Sequence, residues 1–363
     1  MNQLDTLLHA RSGPDNYVQG SGILAELLGH YVQDRRHVVV ITGRASYAAF
    51  RQTIGDADVL DGVSVHRYDG TVSTQDIERL EAETVGSDLI VAIGGGRVCD
   101  TAKSVAAHIG ADIVTVPTIA ATCAAYSSHT VLYDRHHAKS GFEQHDHSPL
   151  ATLVDTALLA HAPERYLIAG IGDSIAKWYE AKSIMRPGTS IRPTERLGLI
   201  AAENVKDLLL EHAQAAVDAN RIGEDTQVFC DAVEAIFPLS GSVGGFANRK
   251  GRSSGAHATA NAITALPGSS QSLHGEQVAY GILVLLTALG DERDLRLLRD
   301  WYGRIGLPCS LADLGIDASD DDIRAVSTIA ASPRENFILA IPDIVPEQVA
   351  RAMRTVEQSA KKA

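Results

Sequence analysis

Along the first 150 or so residues, short β-branched runs alternate with stretches whose apolar positions recur at helical spacing. Val38–Thr42 is β-branched throughout, turns at Gly43 and leads into a helix-like run through Phe50. Val63–Tyr68 reads as a strand, and Thr74–Val85 as a helix with Ile77, Leu80 and Val85 on one face. Leu89–Ile93 is a third strand, Val98–Ile109 a helix, and Ile113–Val116 a fourth strand stopped by Pro117. Strands alternating with helices predict an α/β unit with a mostly parallel sheet covered on both faces.

Beyond Pro163 the period changes. Helical patterns run over Arg165–Met185, Thr194–Ala219, Thr226–Val243, His257–Ala265 and His274–Leu289, and no convincing strand follows. The chain therefore divides into an α/β unit, residues 1–162, and an all-helical unit, residues 163–363, with Pro163 at a first helical position. Asp173 lies just past that boundary, so a site built on it would face the first unit across a cleft.

Composition narrows the class. At 363 residues, 45% apolar and 21% charged, the chain suits two globular domains. No apolar run reaches the roughly 18 residues of a membrane span, and the N-terminus lacks a basic region before an apolar core. Cys99, Cys123, Cys230 and Cys309 are scattered, without a CxxC pair, which fits reduced thiols in a cytoplasmic protein. A net charge of −13 and 5% aromatics argue against nucleic acid. Arg249, Lys250 and Arg252 form the one compact basic stretch, and it reads as an exposed loop.

Two features carry chemistry. Gly94, Gly95 and Gly96 follow the Leu89–Ile93 strand at once and open a helix, the arrangement in which a backbone approaches a pyrophosphate. Glycine clusters also make plain strand-to-helix turns, and the spacing is not G-x-G-x-x-G. Asp100 and Lys103, on the first turns of that helix, are spaced to point toward a ligand. Thr118 puts a hydroxyl at the carboxyl end of the next strand, the edge where open α/β sheets bind ligands. The second feature is Asp173 with His257 and His274, a two-nitrogen, one-oxygen set suited to a catalytic divalent metal with open positions. A lone histidine is more often structural, and most of the 14 here read that way; His136, His137, His145 and His147 read as a solvated polar cluster.

The segments GGGRVCDTAKSVA, VPTIAATCAAYS, AGIGDSIAKWYEA, GAHATANAITALP and LHGEQVAYGILV resemble the signature blocks of the iron-containing (group III) alcohol dehydrogenase superfamily. They occur in family order over roughly residues 15 to 350 and look like its glycerol dehydrogenase branch, nearest to bacterial hydroxycarboxylate dehydrogenases. The resemblance implies an N-terminal dinucleotide-binding domain, a C-terminal helical domain and one divalent metal in the cleft. It matches Asp173, His257 and His274 to the metal ligands, with zinc favoured over iron. Gly94, Gly95, Gly96, Arg97 and Val98 match the pyrophosphate loop, Thr118 and Ala121 further cofactor contacts, and Ser127, His129 and Tyr133 the nicotinamide side. Dehydroquinate synthase shares the architecture but keeps a basic phosphate pocket that this chain lacks.

Three departures bear on specificity. Cys123 stands where glycerol dehydrogenases hold substrate hydroxyls with an aspartate. Arg44 stands where NAD-using relatives have an acidic residue at the adenosine ribose, and a cation there favours NADP(H). Ala260 replaces a second histidine one turn after the first ligand, leaving water, His129 or Tyr133 to relay a proton. The expectation is a metal-dependent, NAD(P)-linked oxidoreductase of a small hydroxy compound, a 2-oxo acid reductase first and a glycerol or polyol dehydrogenase second. A catalytically silent nucleotide-binding protein is the reading from another class, and the intact ligand set speaks against it. Relatives commonly form dimers or octamers, so a homo-oligomer without nucleic-acid or membrane partners is expected.

Overall fold

A computed structural model describes residues 8, 10–134 and 139–360. β1 (Asn16–Gly20), β2 (Val38–Thr42), β3 (Ser64–Arg67), β4 (Leu89–Gly94), β5 (Asp112–Pro117) and β8 (Ala151–Asp155) form one sheet in the order β1-β8-β5-β4-β2-β3. Every pairing in it is parallel. β6 (His129–Tyr133) and β7 (Lys139–Gln144) make a separate antiparallel hairpin.

Side-chain alternation explains why both faces are covered. Val40, Val91, Ile93, Val114 and Val116 pack with Leu24, Leu28, Phe50 and Ile54 on one side. Val39, Ile41, Ile90 and Ala92 pack with Ile77, Leu80, Ala102 and Val105 on the other. A strand whose alternate residues enter two different cores must be apolar throughout. β2 leads outward to β3 whereas β4 leads the other way to β5, so their connections part beyond Thr42 and Gly94. That divergence is where such sheets open a crevice.

β1, β6, β7 and β8 are absent from the sequence expectation. β1 is a partly exposed edge strand with no clean alternation, and β8 is five buried residues between β1 and β5. No strand occurs after residue 163 among the described residues. The long helix there spans Glu164–Ile184, with Pro163 just outside it at ψ 130° instead of inside its first turn. The stretch expected as one helix over 226–243 is broken: Gln227–Glu234, a π turn at Ala235–Leu239, then Ser240–Ala247. Pro238 lies in that turn and has no N–H to continue the ladder. One apolar core joins both halves of the chain, running from Cys99, Ala125 and Val154 through Ile171, Ile236, Val278 and Trp301. All four cysteines are free thiols. Among the described residues no helix is long and apolar enough to cross a membrane.

Candidate active site

A cleft of about 1850 Å³ opens at the carboxyl edge of the sheet and runs to the long helices. Its floor begins at β4. Gly95 caps the helix Gly96–Ile109, whose first residues line the cleft. A Cβ on Gly95 would come within 2.6 Å of Ile119, and one on Gly96 within 2.8 Å of the Thr122 hydroxyl. Only glycine lets the loop and the helix start lie this close, leaving bare backbone for a phosphate. Gly94 differs from the expectation: it is buried beneath the cleft, where a Cβ would strike Val98 at 2.6 Å, so its role is strand–helix packing.

Asp100 lines the cleft near the helix start, but its carboxylate also has partners within the protein. It is buried and ion-paired with Lys103 at 2.8 Å, and its other oxygen accepts the Val131 N–H at 3.0 Å. The Lys103 ammonium donates to the carbonyls of Ala124, Ser127 and His129. The hydrogen bonds of Lys103 tie the 123–129 loop to the helix, and they offset part of the cost of burying the pair. Arg97 is exposed, its guanidinium 6.0 Å from the Tyr133 ring centre. Thr118, Ala121, Ser127, His129 and Tyr133 line the cleft as expected, and so do Val98 and Arg44, the latter exposed at the start of the helix Arg44–Ile54.

The far wall is made where helices touch through glycine. A Cβ on Gly275 would lie 1.8 Å from the Ala169 carbonyl, and one on Gly172 2.7 Å from the Gly275 carbonyl. The helices Glu164–Ile184 and His274–Leu289 thus cross backbone to backbone, setting Asp173 beside His274. Gly281 meets the Ala256 carbonyl in the same way at 2.2 Å, which brings in the helix Gly255–Ile263 and His257. One ligand atom from each of Asp173, His257 and His274 falls within 4.8 Å of the others. His257 Nε2 is 3.3 Å and His274 Nε2 3.8 Å from Asp173 Oδ1. Yet that oxygen is buried and makes no hydrogen bond among the described residues. An orphaned anionic acceptor between two imidazole nitrogens fits a divalent cation.

The electrostatics of Asp173 and His274 support that fit. Burial would raise Asp173, but Lys177 and the two imidazoles hold its carboxyl well below the usual range. Burial drives His274 down to about 4, keeping it neutral and able to ligate. Glu180, fully buried, takes His257 Nδ1 at 2.6 Å and the backbone N–H groups of Ser254 and His257. A carboxylate behind a ligating imidazole fixes its tautomer and orientation. Sequence reasoning missed Glu180 and Lys177, although both fall on the Asp173 face at helical spacing.

Two further sequence readings change. The basic stretch is a short helix, Arg249–Arg252, whose Arg252 turns half-buried into the cleft. His145 is buried with its Nε2 2.9 Å from the Thr130 hydroxyl, and His147 is exposed; His136 and His137 lie outside the described residues.

Residues 14–156 match the family model of iron-containing alcohol dehydrogenase. The chain is 35% identical over 349 residues to hydroxycarboxylate dehydrogenase A of Escherichia coli strain K12, covering 95% of this chain and 96% of the relative. It is 34% identical over 336 residues to glycerol dehydrogenase of Thermotoga maritima, covering 89% and 90%. The crystal structure of a probable glycerol dehydrogenase from Sinorhizobium meliloti 1021 superposes with a TM-score of 0.87 at 31% identity, over 98% of this chain and 100% of that one. With the fold shared along almost the whole length, the chain belongs to the iron-containing alcohol dehydrogenase family, NAD(P)-dependent, metal-containing enzymes that act on the CH–OH group of small molecules.

Proposed function

We propose that the enzyme interconverts a small 2-hydroxy acid and its 2-oxo acid, with NADP(H) favoured over NAD(H) and zinc over iron. The observation that carries this reading is Cys123, an uncharged thiol lining the cleft and close enough to Asp173 and Lys177 to feel both charges. Burial pushes that thiol up, so it stays neutral. An aspartate at this position, as the resemblance assigns to glycerol dehydrogenases, would repel a substrate carboxylate. Hydroxycarboxylate dehydrogenase A among the relatives favours the same substrate class. Oxidation of glycerol or another polyol is the second reading, favoured by the glycerol dehydrogenase relatives.

Asp173, His257 and His274 would hold the cation, and this mixed oxygen and nitrogen set suits zinc with an open position. A cation bound there supplies Lewis-acid polarisation of the substrate oxygen, while the nicotinamide supplies or takes a hydride. Gly95 and Gly96, with the helix N-terminus, would bind the pyrophosphate, and Thr118 and Ala121 would line the path of the dinucleotide. Arg44 would pair with the adenosine 2′-phosphate. His129 is held well below its usual range by burial and by Lys103, Arg252 and Lys177, so its imidazole is neutral in the cleft. Tyr133 is pushed up to about 12 by burial and keeps its proton at neutral pH. Residues 1–162 would serve as the nucleotide-binding unit and 163–363 as the metal-binding one, in a cytoplasmic homo-oligomer.

The test is a crossed rate panel of 2-oxobutanoate, 2-oxoglutarate and glycerol, each with both nicotinamide cofactors and added zinc. Higher kcat/KM for a 2-oxo acid supports the reading, and preferential turnover of glycerol replaces it with the polyol reading.

A further inference from the structure

Lys177 sits one turn beyond Asp173 on the same helix, lines the cleft and is only 7% exposed. Its ammonium makes no hydrogen bond and no ion pair with any described residue. Glu180 is engaged with His257 and two backbone N–H groups, and Asp173, whose charge attracts the ammonium without touching it, lies between the two imidazoles. A buried cation without a contact partner is costly unless something else supplies the negative charge.

A second cation reaches the same space. Arg252 lines the cleft, gives one nitrogen to Gln144 at 2.9 Å, and leaves its Nε buried with no hydrogen-bond partner. Lys177, Arg252 and Cys123 are close enough to act on one another electrostatically. Two under-used donors, a neutral thiol and the adjacent ligand triad leave one spot suited to an anion that also offers an oxygen to the metal position. A 2-oxo acid has that shape: a carboxylate on the carbon next to its carbonyl.

We propose that Lys177, assisted by Arg252, binds the substrate carboxylate and sets the preference for an anionic substrate over a neutral one. This rests on the 2-oxo acid reading above and adds the residues that enforce it. Lys177 orients the acid through a charge-assisted hydrogen bond, and Arg252 supplies a second donor from the opposite segment.

The test uses full-length enzyme loaded with zinc. Steady-state rates are measured with 2-oxobutanoate and with neutral hydroxyacetone, and oxamate binding in the presence of reduced cofactor is measured by calorimetry. In Lys177→Met the ratio of kcat/KM for 2-oxobutanoate over hydroxyacetone is expected to fall on the order of ten- to a hundred-fold. Oxamate affinity should fall in parallel, and Lys177→Arg should restore much of both. Arg252→Met should shift the ratio in the same direction by less. Equal losses on both substrates, with oxamate binding unchanged, would mean that Lys177 acts only through Asp173, and the proposal fails. Should the wild type turn over no 2-oxo acid, the function reading fails. Oxamate binding still decides the anion site: loss in Lys177→Met upholds it and unchanged affinity overturns it. Circular dichroism and zinc content of each variant separate a binding defect from misfolding.

Discussion

His257 Nδ1 lies 2.6 Å from Glu180 Oε2, while the Nε2 of the same ring lies 3.3 Å from Asp173 Oδ1. One imidazole is thus strung between two carboxylates of a single helix, one aimed at the metal position and one behind it. Glu180→Gln keeps the shape but removes the charge that orients the ring. Zinc affinity, read by competition with a chelator, should fall about ten- to a hundred-fold. An unchanged affinity would show that the backbone alone sets the ring. His274→Ala removes a ligand outright and should abolish both bound zinc and turnover with circular dichroism preserved. Stoichiometric zinc at full activity in that variant would sink the assignment.

Cys123→Asp places a carboxylate in the cleft beside Asp173. Repulsion of an anionic substrate should depress 2-oxobutanoate reduction relative to glycerol oxidation by on the order of tenfold, which is about 1.4 kcal/mol. The ratio of the two kcat/KM values is the readout. No change in it would remove Cys123 from the determinants of specificity.

Arg44 is exposed at the mouth of the cleft, whereas neighbouring Arg67 already donates to the Gly43 carbonyl at 2.7 Å and covers the Tyr47 ring. A bidentate contact from Arg44 to a 2′-phosphate would contribute roughly 1.5–3 kcal/mol, or on the order of ten- to a hundred-fold preference. Arg44→Asp should reverse the ratio of efficiencies with NADPH and NADH. A wild-type preference for NADH, or a ratio unmoved by the substitution, would make Arg44 a surface residue.

Burial, followed by the charge of Lys103, lowers His145 from 6.5 to about 4. Between those values the unfolded chain binds a proton that the folded chain refuses, so stability is lost as pH falls through that window. In His145→Gln the melting temperature should drop less than in the wild type between pH 6.5 and pH 4. Parallel pH profiles for the two proteins would show that His145 titrates normally in the fold.

Local pattern was enough for the sheet interior and for naming Asp173, His257 and His274, which the fold brings together. β2, β4 and β5 are legible because burial on two faces demands uninterrupted apolar residues, and the glycines after β4 because only they permit the close approach seen at Gly95 and Gly96. Asp173, His257 and His274 were nameable because few residue types ligate metals and their segments resemble a known family. Pairing and proximity were not legible. β1 is a strand only because it lies beside β8, β8 because it lies between β1 and β5, and Asp173 meets His274 only because Gly172 and Gly275 let two helices touch. Asp100 and Lys103 show a role that helical spacing did not suggest: tertiary packing pairs them with each other and uses Lys103 to hold a loop. Lys177 has the ordinary spacing of a helical surface lysine. Its burial without a contact partner is a property of the elements packed around it, and only the folded chain brings those together.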